Sequence, residues 1–245
     1  MHRVYQTRRK RSIFLPALHA TLGVIGALAS LAGCQCSPSN PDVASKGTNA
    51  YQKVTGDDTE SDRSQWDQVF AQDTYVYGKE PAEVLREFID ILPVGRALDI
   101  AMAEGRNSVF LAKKGFVVDG VDLSEVAIRK AKRLAKENGV EIATINADLN
   151  TYLIKPETYE VIVDIQYLQR TLIPQIKKGL KRGGVVVFQN QTVDQLQLPG
   201  SSGLRRDFLL AKGELKELFS EFKVLHYSET NDGKNALATL VAMKP

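Results

Sequence analysis

Two acidic residues and the loop between them are the first candidates for chemistry. Leu98-Asp99-Ile100 runs into Ala101-Met102-Ala103-Glu104-Gly105-Arg106-Asn107, an acid followed by mostly small residues where a strand gives way to a helix. In an open α/β sheet, ligands bind just beyond the carboxyl end of such a strand, and small residues let them approach the backbone. Asp122 ends the next strand about 20 residues on, where a carboxylate accepts the hydroxyls of a ribose. Each feature alone has a plainer reading: tight strand-to-helix packing for the loop, and a favourable charge at a helix N-terminus for Asp122. Further along, Asp164, Tyr167 and His226 are groups able to take a proton, and Arg170 is able to orient an anion.

The elements that must position these residues alternate. Lead-in helices are expected around Trp66–Gln72 and Glu80–Leu92, the second with Val84, Leu85, Phe88 and Leu92 on one face. Strand Ala97–Ala101, helix Asn107–Lys114 and strand Phe116–Val121 follow. Ser124 then caps a helix whose apolar stripe is Ala127, Ala131 and Leu134 and which Gly139 stops. Strands Glu141–Asn146 and Tyr159–Asp164, a helix around Thr171–Lys181 with Pro174 in its first turn, and strand Val185–Gln189 complete the alternation. Such a pattern forces a parallel sheet with helices on both faces. After helix Lys212–Phe219, strands Phe222–Ser228 and Ala236–Met243 flank Asn231-Asp232-Gly233-Lys234, a hairpin turn, so the last strand is expected to insert antiparallel. The stretch Asn190–Ala211 is long for a connection and is read as a lid that selects the substrate.

Taken together, LDIAMAEGRNSVFLAKKG, VDGVDLSEVAIRKA, NADL, YEVIVDIQYLQRTLIPQIKKGLKRGG and ELFSEFKVLHY make residues 64–245 resemble the tellurite-resistance and thiopurine-type branch of class I methyltransferases. That resemblance implies a Rossmann-like seven-stranded α/β sandwich and S-adenosylmethionine as cofactor. It assigns the methionine part of the cofactor to Asp99 and the loop bearing Ala101, Ala103, Gly105 and Asn107. The ribose falls to Asp122 and Leu123, the adenine to Asp148 and Leu149, and the methyl group and substrate to Asp164, Ile165 and Gln166. Methyl transfer from a sulfonium is an in-line displacement, so the protein needs chiefly to align the partners and exclude water. Asp164 or Tyr167 would accept any proton released, and Arg170 would help hold a small-molecule substrate. Ala103 stands where the family commonly has glycine; if the position requires φ > 0, its methyl group costs about 1 kcal/mol of strain and crowds the cofactor. Arg182 replaces the usual proline before Gly183-Gly184. A nicotinamide-dependent oxidoreductase is disfavoured by the terminal hairpin and by the incomplete Gly-x-Gly-x-x-Gly.

The N-terminus adds a second theme. Residues 1–11 are basic, residues 13–33 are apolar apart from His19, Thr21 and Ser30, and Leu31-Ala32-Gly33-Cys34 resembles the lipobox of bacterial lipoproteins. The expectation is an export signal over 1–33, a lipid on Cys34, a flexible polar tether over 34–62 and a domain over 63–245, held at a membrane outside the cytoplasm. That placement separates the domain from a donor made in the cytoplasm and keeps open a non-catalytic membrane-displayed scaffold. A start at Val43 or Val54 would instead give a cytoplasmic protein. Five basic residues precede the apolar stretch, so the net charge of +3 becomes 3 − 5 = −2 beyond residue 33. No nucleic-acid partner is indicated by that balance. Both cysteines, Cys34 and Cys36, sit at the junction, which argues against a Cys/His metal site.

Overall fold

The computed structural model describes residues 59–245. The expected export signal over 1–33, Cys34 and all but the last four residues of the expected tether lie outside the described residues. Those last four are not tether-like: helix α1 spans Thr59–Phe70, with Glu60 and Asp62 in its first turn, where carboxylates favour the positive end of the helix dipole. It starts well before the expected Trp66 because Asp62 is buried against the domain, a contact invisible in composition.

Beyond it come α2 (Glu83–Phe88), β1 (Arg96–Ile100), α3 (Arg106–Lys113), β2 (Val117–Asp122), α4 (Glu125–Glu137), β3 (Ala143–Asn146) and β4 (Tyr159–Ile165). The chain ends with α5 (Ile173–Gly179), β5 (Leu180–Gln191), α6 (Glu214–Leu218), β6 (Lys223–Asn231) and β7 (Ala236–Met243). The expected seven-stranded α/β fold is therefore present, in the order β3-β2-β1-β4-β5-β7-β6. Strands β1 to β5 pair in parallel, and β7 runs antiparallel between β5 and β6. The two-sided burial of central strands explains the unbroken Val185-Val186-Val187 run. Alternate residues feed two cores: Leu98, Ile100, Ile162 and Phe188 on one face, and Ala97, Val161, Val163 and Val187 on the other, against α2 and α3.

The helix caps follow the sequence. Ser124 Oγ accepts the amide of Ala127 at the start of α4, and Gly139 takes φ +67° just past its end. The lead-in helix expected over Glu80–Leu92 is shorter, because after Phe88 the chain tightens into a 3₁₀ turn, Ile89–Ile91. The stretch after β5 is not structureless. It holds 3₁₀ turns at Val193–Gln197 and Arg206–Phe208 and is pinned where Thr192 bridges Leu210.

Candidate active site

The carboxyl ends of β1, β2 and β4 open onto one cavity of about 360 Å³. This is the crevice where strand order reverses in a doubly wound sheet. Its walls include Ala101, Ala103, Asn107, Asp122, Leu123, Asp148, Leu149, Ile165, Gln166 and Tyr167, ten of the sequence-assigned residues. Four non-glycine residues adopt positive φ among the described residues, and Ala101 (49°), Ala103 (50°) and Gln166 (64°) all line this cavity. Backbone strain of this kind persists where the surroundings over-determine it, commonly at binding sites. The loop is shaped further by Gly120 on β2, where a Cβ would stand 2.1 Å from the Met102 sulfur. Only a glycine lets Met102 tuck beneath the loop.

Asp122 is a buried carboxylate of the wall held by backbone amides. Its Oδ2 accepts the amide of Ala103 and its Oδ1 that of Ser124, both at 2.8 Å. A carboxylate has about four acceptor positions, so beside these two amides and a lesser contribution from the Leu123 amide it keeps acceptor capacity for a ligand. Burial pushes Asp122 up to about 6, against those same amide bonds. Asp148, at the opposite end, accepts the hydroxyl of Thr59 at 2.6 Å and the amide of Asn150 at 2.8 Å.

Four assigned residues lie off the wall. Asp99 is buried beneath the loop, where it accepts Ser108 Oγ–H at 2.6 Å and pins the first turn of α3; burial raises it to about 7. Gly105, at φ +81°, takes the left-handed turn into α3 and lets α4 approach, since a Cβ there would stand 2.6 Å from Ala131 Cβ. Asp164 is also buried below the surface, with Oδ1 lacking a hydrogen-bond partner, and burial followed by Asp99 drives its carboxyl well above the usual range. Arg170 is occupied elsewhere: it forms a two-pronged pair with Glu214 at 2.5 and 3.0 Å and donates to the carbonyls of Asp207 and Leu209. It braces the end of the long loop, and the expectation that it orients a substrate is withdrawn.

The proton-acceptor assignments change as well. Tyr167 lines the cavity, but its hydroxyl donates to Gln169 Oε1 at 2.7 Å, and burial followed by Asp164 raises its pKa. It is a protonated donor at neutral pH and no base. His226 lies on β6, where its ring packs on Phe88 at 4.7 Å and meets Ser228 Oγ at 3.1 Å, away from the cavity walls.

Sequence reasoning missed the opposite wall. Asp62, Trp66, Phe70, Tyr77 and Gly78 close the cavity from the lead-in segment, and Arg205 with Phe208 close it from the long loop. The available signal was the density of aromatic residues at Trp66, Phe70, Tyr75 and Tyr77, more than a polar connection needs. Around Trp66, Gln166, Tyr167, Leu168 and Phe208 the main cavity adjoins a smaller apolar chamber of about 70 Å³ reaching Leu204 and Leu209.

The chain is similar to known proteins in sequence and in fold. A curated probable S-adenosyl-L-methionine-dependent methyltransferase TehB from Haemophilus influenzae is 29% identical over 142 residues, 55% of this chain and 48% of the relative. The chain thus spans about half the length of the curated TehB relatives it matches. Among solved structures, TehB from Haemophilus influenzae aligns with a TM-score of 0.57 and 23% identity over 75% of this chain and 67% of that one. Magnesium protoporphyrin IX methyltransferase from Synechocystis PCC 6803, solved with bound SAH, aligns with a TM-score of 0.55 and 16% identity over 82% and 95% of the two chains. At these identities the structures share the fold. The family description "Tellurite resistance protein TehB" matches residues 65–235, most of the domain and all of the cavity's strand-end wall, and the chain belongs to that family.

Proposed function

We propose that residues 59–245 form an S-adenosylmethionine-dependent methyltransferase acting on a small molecule. The observation that carries this reading is Asp122: a carboxylate at the end of β2, fixed by the amides of Ala103 and Ser124, facing the cavity with acceptor capacity left for a vicinal diol. The rest of the wall fits the same cofactor. Leu123, Asp148 and Leu149 flank the adenine side, and the backbone of Ala101 to Ala103 forms the cradle for the methionine end. When bound, the cofactor supplies an electrophilic methyl group on a sulfonium.

The residues of this chain orient and enclose. Ile165 lines the main cavity at the end of β4, and Gln166 beside it lines both that cavity and the small apolar chamber, where an acceptor would be held next to the cofactor. Trp66, Tyr167 and Phe208 exclude water from that junction, and in-line displacement is governed by such alignment. Tyr167 contributes its ring to the wall, its hydroxyl proton being donated to Gln169 Oε1. The size of the cavity, about 360 Å³, favours a small acceptor over a macromolecule.

Titration of the full chain with S-adenosylhomocysteine in a calorimeter tests the reading. Saturable binding by the wild type, lost in Asp122→Ala, is expected. A folded wild-type protein that gives no heat at millimolar ligand rules out the cofactor.

For the N-terminus we propose lipidation at Cys34 and display at a membrane outside the cytoplasm. The support is the order of a basic start, an apolar run, Leu31-Ala32-Gly33-Cys34 and a polar stretch. The several acyl chains of a bacterial lipoprotein meet the need for two membrane signals. Fractionation of wild type and Cys34→Ala, with mass analysis of the mature N-terminus, decides it. A soluble wild-type protein beginning near Val43 or Val54 refutes it and removes the separation from the methyl donor.

A further inference from the structure

Lys130, on α4, reaches no cavity wall, yet it connects more of the site than any side chain that does. It is 5% exposed. Its ammonium lies 2.6 Å from Glu104 Oε1 and donates to the carbonyls of Phe70 (3.1 Å), Gln72 (2.8 Å) and Thr74 (2.8 Å). Glu104 Oε2 in turn accepts the amides of Val76 (2.6 Å) and Tyr77 (3.3 Å). One buried ion pair therefore satisfies five backbone groups of residues 70–77, a stretch outside helix and sheet except for its first residue. A buried pair of this kind stabilises only when further hydrogen bonds complete it, and here they all come from one segment.

That segment belongs to a strap across the groove. Thr59 donates to Asp148 at one end, Asp67 accepts Ser124 Oγ–H (2.5 Å) and the Val126 amide (3.1 Å) in the middle, and Arg106 donates to the Tyr77 carbonyl (3.0 Å). Beyond it the Ala82 amide donates to Asn107 Oδ1 (2.9 Å). Three side chains of the loop, Glu104, Arg106 and Asn107, thus grip the strap. The strap supplies Asp62, Trp66, Phe70, Tyr77 and Gly78 to the cavity wall, so its position sets the shape of the space a ligand would meet.

We propose that Lys130 is a positioning residue which, with Glu104, latches residues 59–82 over the groove as a lid, and that closure is coupled to ligand occupancy. The coupling arises because Glu104 follows Ala103, whose amide is held by Asp122. The choice of S-adenosylhomocysteine as probe rests on the function proposed above; the latch does not.

Trp66 is the chain's single tryptophan and sits on the strap, so its fluorescence reports the lid directly. The experiment compares full-length wild type with Lys130→Met and with Lys130→Met/Glu104→Gln, the second of which leaves no unpaired buried charge. Amide exchange at residues 74–77 is expected to accelerate about tenfold or more in both variants, with β1, β4 and β5 as protected as in wild type. Acrylamide quenching of Trp66 rises, and S-adenosylhomocysteine affinity falls about tenfold, a usual coupling size. Wild-type protection of 74–77 in the double variant overturns the latch, as does a loss of protection spread evenly through the sheet. Unchanged affinity with a loosened strap overturns the coupling. If the wild type binds no ligand, the cofactor reading and the coupling fall together, while exchange still decides the latch.

Discussion

The amide of Ala103 donates to Asp122 Oδ2 at 2.8 Å, joining the loop after β1 to the end of β2 across the cavity floor. Ala103 reaches that position only with φ at 50°, and its side chain packs with Phe70, Val76 and Ala127 under the strap. The methyl group expected to crowd the cofactor therefore also holds the lid. Ala103→Gly relieves about 1 kcal/mol of left-handed strain but gives up a comparable apolar contact and gains chain entropy when unfolded. We expect stability to change by less than about 1 kcal/mol on those terms, and S-adenosylhomocysteine affinity to stay within about threefold. A tenfold tightening would show that the methyl group obstructs the ligand.

Asp122 carries a pH signature. An ordinary aspartate stays ionised down to pH about 4, whereas burial brings this one up to about 6. Its acceptor character is lost as pH falls through that value, so S-adenosylhomocysteine binding should weaken between pH 7 and pH 5. Asp122→Asn should bind more weakly by about tenfold or more at pH 7.5, the worth of a hydrogen bond to a charged group, and show a flatter profile. Calorimetry across the range checks this; parallel profiles for the two proteins would assign the pH effect elsewhere.

Gly105→Ala separates a packing role from a ligand role. The substitution combines a left-handed backbone with a contact 2.6 Å from Ala131 Cβ. We expect a loss of about 2–4 kcal/mol, seen as a lower urea midpoint without ligand present. A variant as stable as wild type but unable to bind would return Gly105 to the ligand site.

Asp164 should make the fold less stable as pH rises. Its folded carboxyl sits above the unfolded value, so the folded state holds more protons through that interval and loses stability once the group must ionise. Asp164→Asn removes that cost. The variant is expected to melt higher than wild type at pH 8, with the advantage shrinking as pH falls and vanishing only below the unfolded aspartate pKa of about 3.9, where both states of the wild type are protonated. A constant difference at every pH would mean that Asp164 matters through shape alone.

Much of the fold was legible in the chain. The alternation from Ala97 to Gln189, the cap at Ser124, the stop at Gly139 and the Asp232-Gly233 turn are local signals, each set by a few neighbouring dihedrals and by which faces are apolar. The strand-end wall was legible for the same reason, since Ala101, Asp122, Asp148 and Ile165 follow directly from where strands stop. What only tertiary structure decided was the direction and partner of each polar group. Asp99 and Asp164 lie near strand ends as the cavity-wall residues do, yet both are buried off that wall. Arg170 looked available until residues 207–214 folded against it. The strap was hidden most completely, because its hold on the groove comes from Lys130 and Glu104 meeting backbone groups far away in sequence. Periodicity records which residues share a face; it carries no information on which distant carbonyl a buried ammonium will find.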